Sequence, residues 1–287
     1  NVFLFTIKKH TMKELQGIFA EMRGRAQRKE RAAEAQRVAV RGSGLRIGSY
    51  LGLRTLEASF RGVPLRLEQE LTEGATGGYL WAGTVRMLER VLTCGALDSD
   101  GDAAPLRVLE LGSGVGLGAL ILALAGAAVV ATDRASALAL LRRNVAAHPP
   151  ASDRSVGSGG SVRVMEHAWG TAPTVELQRE VERGFDLIVA CDCVYATHAV
   201  EPLVASLVAL STPGRTRLIV ANAQRTALEV FVRRAAPHFS LAFIATGGGE
   251  ETDVEEATTP GAAATAAAAA AERVEEVKVR VYDGARH

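Results

Sequence analysis

The stretch that most constrains the fold is Val108-Leu109-Glu110-Leu111-Gly112-Ser113-Gly114-Val115-Gly116-Leu117-Gly118. A short apolar run meets an acidic residue and then glycines at every second position. Ala119-Leu120-Ile121-Leu122-Ala123-Leu124-Ala125 follows with helical character. Strand, tight glycine turn and helix in that order form a nucleotide-cradling loop. The turn demands dihedrals that other residues resist, and its backbone must approach a ligand with no Cβ between them. About 20 residues on, the run Ala128-Val129-Val130-Ala131-Thr132 ends in Asp133, an acidic residue at a second strand tip, where a ribose hydroxyl pair is gripped. Read from Gly112, the third glycine of G-x-G-x-x-G falls on Leu117 and the dinucleotide fingerprint fails. Read from Gly114, it runs Gly114-x-Gly116-x-x-Ala119 and passes. Glu110, two residues before the first glycine, argues against a nicotinamide cofactor. The plain alternative is an α/β protein whose glycines serve only helix–strand packing.

Around this loop, strands and helices alternate. Strands are predicted at 107–112, 128–133, 162–168, 185–191, 217–222, 240–245 and 275–282, and helices at 117–126, 135–147, 198–211 and 224–236. Alternation at this spacing implies a parallel sheet with helices on both faces. The last two strands have no helix between them, so they pair antiparallel at one edge. The chain has 287 residues with 48% hydrophobic content, enough for a full core in one or two domains.

The stretch ahead of the core has a different character. Residues 1–43 read as a basic helical arm, with Met12, Leu15, Ile18, Phe19 and Met22 at helical spacing and Lys and Arg well in excess of Glu. Such an arm is either a solvated face or a docking element for an acidic partner. Residues 44–287 form the main domain. It opens with a β-hairpin, Leu53–Phe60 and Val63–Leu67 around the Arg61-Gly62 turn. A flexible run, Gly74–Trp81, then feeds a helix over Thr84–Leu92. Two low-complexity insertions interrupt the domain, about 148–161 (Pro, Gly, Ser) and 247–271 (acidic, then Ala-rich).

Charge and cysteine usage exclude several classes. Net charge is +1, so whole-chain charge argues for neither nucleic acid nor membrane, and no apolar run approaches the ~20 residues of a membrane span. Cys94, Cys191 and Cys193 contain no C-x-x-C, and the histidines lack metal-ligand spacing, so no metal site is expected. A reducing compartment fits. The expected location is the cytoplasm, with nucleus or organelle left open because the sequence begins at Asn1 and a leader can precede it.

In an open α/β sheet, ligands bind beyond the carboxyl ends of the strands. The first tip carries the glycine loop and the second Asp133. The third carries His167-Ala168-Trp169-Gly170, and the fourth Cys191-Asp192-Cys193-Val194-Tyr195. Trp81, Glu110-Leu-Gly-Ser-Gly-Val-Gly, Asp133, Asn144, Trp169-Gly170 and Asp192-x-x-Tyr195 together resemble the seven-strand protein-lysine methyltransferases (lysine methyltransferase family 16), whose members act on chaperones, elongation factors and calmodulin. The resemblance covers roughly residues 50–245. Its specific part is Asp-x-x-Tyr, since enzymes acting on nucleic-acid amines or glutamine amides usually carry Asn-Pro-Pro-Tyr there.

The resemblance implies a Rossmann-like class I sheet, mostly parallel with an antiparallel last strand, and S-adenosylmethionine (SAM) as cofactor. Gly112, Ser113 and Gly114 would pass its methionine part, and Glu110 and Gly116 of the same motif would also bind it. Asp133 would hold the ribose, and Trp81, Trp169 and Cys191 would line the pocket. Asp192 and Tyr195 would shape a channel for the lysine of a protein substrate. Two positions depart from the family: Cys191, where Ala or Ser is commoner, and His167, where an apolar residue is. Asp192 also suits a helix N-cap. Two other readings stay open. One is a weakly active or inactive subunit of a larger assembly, motivated by the arm and the acidic insertion. The other is a nucleic-acid methyltransferase.

Overall fold

The computed structural model describes residues 38–40, 43–48, 53–70, 76–93, 97, 104–148, 160–222, 226–245 and 277–282. Most of the predicted arm and of both insertions, together with Cys94, lies outside the described residues. Val38–Val40, the first described part of the arm, is a short strand, β1.

Strand β1 opens a four-stranded antiparallel sheet with β2 (Leu45–Ile47), β3 (Thr55–Phe60) and β4 (Val63–Glu68), in the order β1-β2-β3-β4. The expected hairpin is therefore half of a larger sheet. Its alternation is plain: Leu45, Ile47, Leu56, Phe60, Leu65 and Leu67 are buried, and Arg46, Glu57, Pro64 and Arg66 face out, the period-2 signature of a half-buried sheet.

The main sheet joins β5 (Arg107–Leu111), β6 (Ala128–Asp133), β7 (Ser161–Glu166), β8 (Leu187–Cys191), β9 (Arg217–Ala221), β10 (Ser240–Ala245) and β11 (Val277–Tyr282), in the order β10-β11-β9-β8-β5-β6-β7. Strands β5 to β9 pair in parallel. The last two pair antiparallel as expected, but β11 adjoins β9 and β10 takes the outer position. Pairing is direct at the site, with Leu111 opposite both Ala190 and Thr132, so the tips of β5, β6 and β8 end level.

Helices α1 (Ala82–Thr93), α2 (Leu117–Leu124) and α3 (Ala135–Ala146) share a core with the N-terminal sheet and with Val108, Val129, Leu187 and Val189. Helices α4 (Val175–Arg183), α5 (Thr197–Leu210) and α6 (Thr226–Ala235) build a second core, which takes Leu109, Leu111, Val130, Ile188 and Ala190. Successive strand residues thus go to opposite cores, as expected of a parallel sheet covered on both sides.

Asn144 on α3 ties the two sheets together. Its side-chain oxygen accepts from Glu68 N (2.8 Å), and its Nδ2 donates to Glu68 O (3.0 Å) and to Val115 O (2.9 Å). One buried amide therefore fixes the end of β4 against the glycine loop.

Candidate functional site

The level strand tips leave a cleft of about 360 Å³, within the ~300–1,000 Å³ range of ligand sites. It is lined by backbone at Gly77, Gly112 and Gly114, by the side chains of Asp133, Trp169 and Asp192, by Trp81 just ahead of α1, and by residues from α5.

The glycine loop is built from underneath. Ser113 N donates to Thr132 O (2.9 Å), and the Ser113 hydroxyl donates to Glu110 O (3.3 Å). Gly116, at φ +87°, stands at the N-cap of α2. Glu110 is 2% exposed, below the loop. Its carboxyl group lies against the first turn of α2, close to Ser113 and the backbone N–H of Ala119, with Oε2 unpartnered, and a side chain at Gly118 would run into it. Glu110, Ser113 and Gly116 do not themselves line the cleft. They hold the loop that does, and the reason is burial behind its backbone. Cys191 does line the cleft, and with Cys193 it is a free, buried thiol. Burial raises both thiols well above their ordinary range.

Burial raises Glu110 to about 7, against the lowering effect of its Ser113 and Ala119 hydrogen bonds. The folded state thus keeps a proton that an unfolded Glu loses near 4.5. The unfolded state binds fewer protons between those two values, so stability is full below pH ~4.5 and falls as pH rises towards 7. The expected loss is about 3 kcal/mol. Urea unfolding across pH 5 to 8 checks this, and Glu110→Gln, which keeps an acceptor for Ala119 N–H, is expected to flatten the profile.

Asp133 ends β6 at 9% exposure and lines the cleft. One carboxylate oxygen accepts from Gly114 N (2.9 Å) and the other from Arg134 N (2.8 Å). A carboxylate has about four lone-pair sites, so both oxygens retain capacity for a hydroxyl pair. The Gly114 bond links the ribose-type acid directly to the glycine loop.

Trp81 stands just ahead of α1. Its indole N–H donates to Thr76 O (2.8 Å), and its ring lies 4.6 Å from that of Tyr79. Trp169 rests over Gly112: a Cβ built on Gly112 would lie 3.1 Å from the indole. Tyr195 is 38% exposed at the cleft, its ring 6.2 Å from that of Trp169. The loop that carries Asp192 and Tyr195 is clamped by Asn222, which accepts from Val194 N and donates to Val194 O, both at 2.9 Å.

Asp192 has φ +52°, a left-handed conformation that Asp tolerates better than most residues. Its N–H donates to Ala221 O (2.7 Å), and its Oδ2 accepts from Gly83 N (2.6 Å). It does cap a helix, but the helix is α1, far away in sequence; α5, which follows it, has no side-chain cap.

Sequence reasoning missed Asn222, Thr76, Gly77, Arg134 and His198, all but the first of which line the cleft. A polar residue at the tip of β9 was the available signal for Asn222. His167 is 3% exposed, with Nε2 2.9 Å from Ser206 Oγ and its Nδ1 unpartnered. Burial lowers its pKa, so it stands as a neutral structural group. Among the described residues, no cluster of three or more His, Cys, Asp or Glu could hold a metal ion, and no helix is long and apolar enough to cross a membrane.

A family model described as lysine methyltransferase matches residues 59–237, from the N-terminal sheet through α6. The chain belongs to the lysine methyltransferase family. Similar members include a Danio rerio protein N-lysine methyltransferase METTL21A, 31% identical over 177 residues, 62% of this chain and 75% of that protein. A Mus musculus EEF1A lysine methyltransferase 3 is 33% identical over 138 residues, 47% of this chain and 54% of its own length. The chain thus spans from about half to three quarters of these relatives. A crystal structure of a SAM-dependent methyltransferase from Agrobacterium tumefaciens aligns with a TM-score of 0.43 at 15% identity, over 81% of this chain and 71% of the other. The family's methyl donor is SAM, and the residues present fit it. Open backbone at Gly112 and Gly114, a diol-competent Asp133 and two indoles meet in one cleft of adequate size.

Proposed function

We propose that this lysine methyltransferase transfers a methyl group from SAM to the ε-amine of a lysine in a protein substrate, with Asp192 and Tyr195 receiving the lysine. The observation that carries the reading is the convergence of two carboxylates with separate supports on one cleft. Asp133 is tied to the glycine loop and Asp192 to α1, and the Trp169–Tyr195 ring pair lines the same cleft.

When bound, SAM supplies a methyl group on a sulfonium, open to in-line attack. The protein's share is positioning. Asp133 would accept the ribose hydroxyls, and Gly112 and Gly114 would let the backbone lie close to the cofactor. Trp81 and Trp169 exclude water. Asp192 attracts the lysine ammonium and orients it. An amine with an ordinary pKa of about 10.4 must lose a proton to solvent before it can attack, and entry into the aromatic, partly dry channel lowers that pKa. Tyr195 presents an aromatic face, which also suits methylated ammonium states. Holding two reactants in line supplies most of the acceleration.

Calorimetry with S-adenosylhomocysteine tests the cofactor half. Micromolar binding is expected, weakened ~10- to 100-fold by Asp133→Ala through loss of hydrogen bonds to a charged acceptor, with NAD failing to compete. Transfer of tritiated methyl from SAM to lysine in extract proteins tests the other half. A folded chain that binds no S-adenosylhomocysteine would overturn the proposal in favour of an assembly subunit.

A further inference from the structure

The support of Asp192 has a consequence for α1. Gly83 is the second residue of that helix and is buried. Its N–H is one of the first-turn donors that a helix cannot satisfy internally, and it is directed to Asp192 Oδ2 at 2.6 Å. A Cβ on Gly83 would lie 2.5 Å from Asp192 Oδ2 and 2.7 Å from Ala221 O. Ala221 O is also the acceptor of the Asp192 N–H. Helix α1, the tip of β8 and the tip of β9 thus meet at one point with no room for a side chain. The approach is close next door as well, where the Thr84 side chain lies beside the Cys191 thiol. The residue just ahead of the helix is Trp81, a wall of the cofactor cleft.

We propose that Gly83 is a positioning residue for Asp192. Its N–H and its missing side chain let the positive end of α1 hold the carboxylate where the substrate ammonium is received. The inference rests on the reading of Asp192 as the acceptor acid. A carboxylate at a helix N-terminus gains both a hydrogen bond and the favourable field of the helix dipole. In its αL conformation, Asp192 depends on such outside contacts to hold one geometry.

The test is a double-mutant cycle between positions 83 and 192, read first without substrate. Asp192→Ala is expected to lower the thermal midpoint by about 2–6 °C through loss of the cap, whereas Asp192→Asn, which keeps an acceptor oxygen, stays within about 1 °C of wild type. Gly83→Val pushes the carboxylate aside, so Asp192→Ala made on top of it costs clearly less than in the wild type. Additive shifts would overturn the proposal, whatever the enzyme's substrate proves to be. The second readout separates positioning from mere packing. Gly83→Val is expected to reduce methyl transfer into extract proteins at least ~30-fold while S-adenosylhomocysteine affinity stays within about threefold. Unchanged transfer by that variant, with wild-type transfer established, would also overturn it. A wild-type chain that binds S-adenosylhomocysteine but transfers nothing would sink the lysine reading and leave the cycle to judge Gly83 alone.

Discussion

Gly112→Val is expected to weaken S-adenosylhomocysteine binding at least 100-fold. Two costs fall on the same atom. Gly112 has φ +66°, where a residue with a Cβ loses ~1–2 kcal/mol and a β-branched one more. Its Cβ would also lie 3.0 Å from Cys193 Sγ and 3.1 Å from the Trp169 indole. Cys193 is anchored by a bond from its thiol to Leu111 O, so the indole is the group that gives way, and it moves from the wall of the cleft. Overpacking of this kind costs ~1–3 kcal/mol, and the side chain itself fills space that the ligand needs. Gly62→Val separates the terms. Gly62 also has positive φ (+86°), but nothing stands within 4 Å of its Cβ. That variant is expected to lose about 1–2 kcal/mol of stability and to bind normally. Calorimetry and urea unfolding on both variants check the pair. Equal affinity in the two would refute the assignment of Gly112 to the cofactor face.

The glycine loop, Asp133, Trp169 and the Asp192–Tyr195 segment were legible because they sit at strand ends, and strand ends follow directly from apolar runs bounded by turn residues. Burial on both faces made β5, β6 and β8 unmistakable. Other parts obeyed different signals. Helix α4 has no apolar stripe: of Val175–Arg183 only Leu177 and Glu180 are buried. It is stabilised instead by the Thr174 cap on Leu177 N (3.2 Å) and by ion pairs from Glu180 to Arg107 and Arg163. Those bonds hold Glu180 at about 2 despite its burial. The Thr174 and Gly184 punctuation was available, but the apolar period was not. Side-chain placement within the loop was not legible, for one cause. Glu110, Ser113 and Gly116 stand in the motif beside true cleft residues, and a motif does not reveal which face of the backbone a side chain takes. Glu110 followed strand alternation into the core. Long-range caps were out of reach for a related reason. Gly83 meets Asp192 only because two strand tips and a helix start converge, and no local pattern encodes that meeting.

Asp192→Asn is expected to reduce methyl transfer by ~100- to 1,000-fold with S-adenosylhomocysteine affinity unchanged within about threefold. The substitution is nearly isosteric. Asn keeps an oxygen for Gly83 N–H and tolerates the left-handed backbone at φ +52°, so the α1 cap and the loop held by Asn222 survive. The charge is what is lost. Leaving an ammonium without its partner in a partly desolvated channel costs about 2–5 kcal/mol, and the middle of that span, about 3–4 kcal/mol, converts to the stated range at 1.4 kcal/mol per tenfold. Tyr195→Phe is expected to be milder, about tenfold or less, because the aromatic face against Trp169 at 6.2 Å remains and only the hydroxyl goes. The pH dependence sharpens the assignment. A lysine delivered as ammonium and used as amine makes wild-type transfer rise with pH until its proton is lost. Without Asp192 the neutral amine is no longer disfavoured relative to the ammonium, so the rise is expected at lower pH even as the maximum falls. Transfer measured from pH 6 to 10 on the two proteins checks both effects. An Asp192→Asn variant with wild-type transfer at every pH would remove Asp192 from the acceptor site and leave it only the cap of α1.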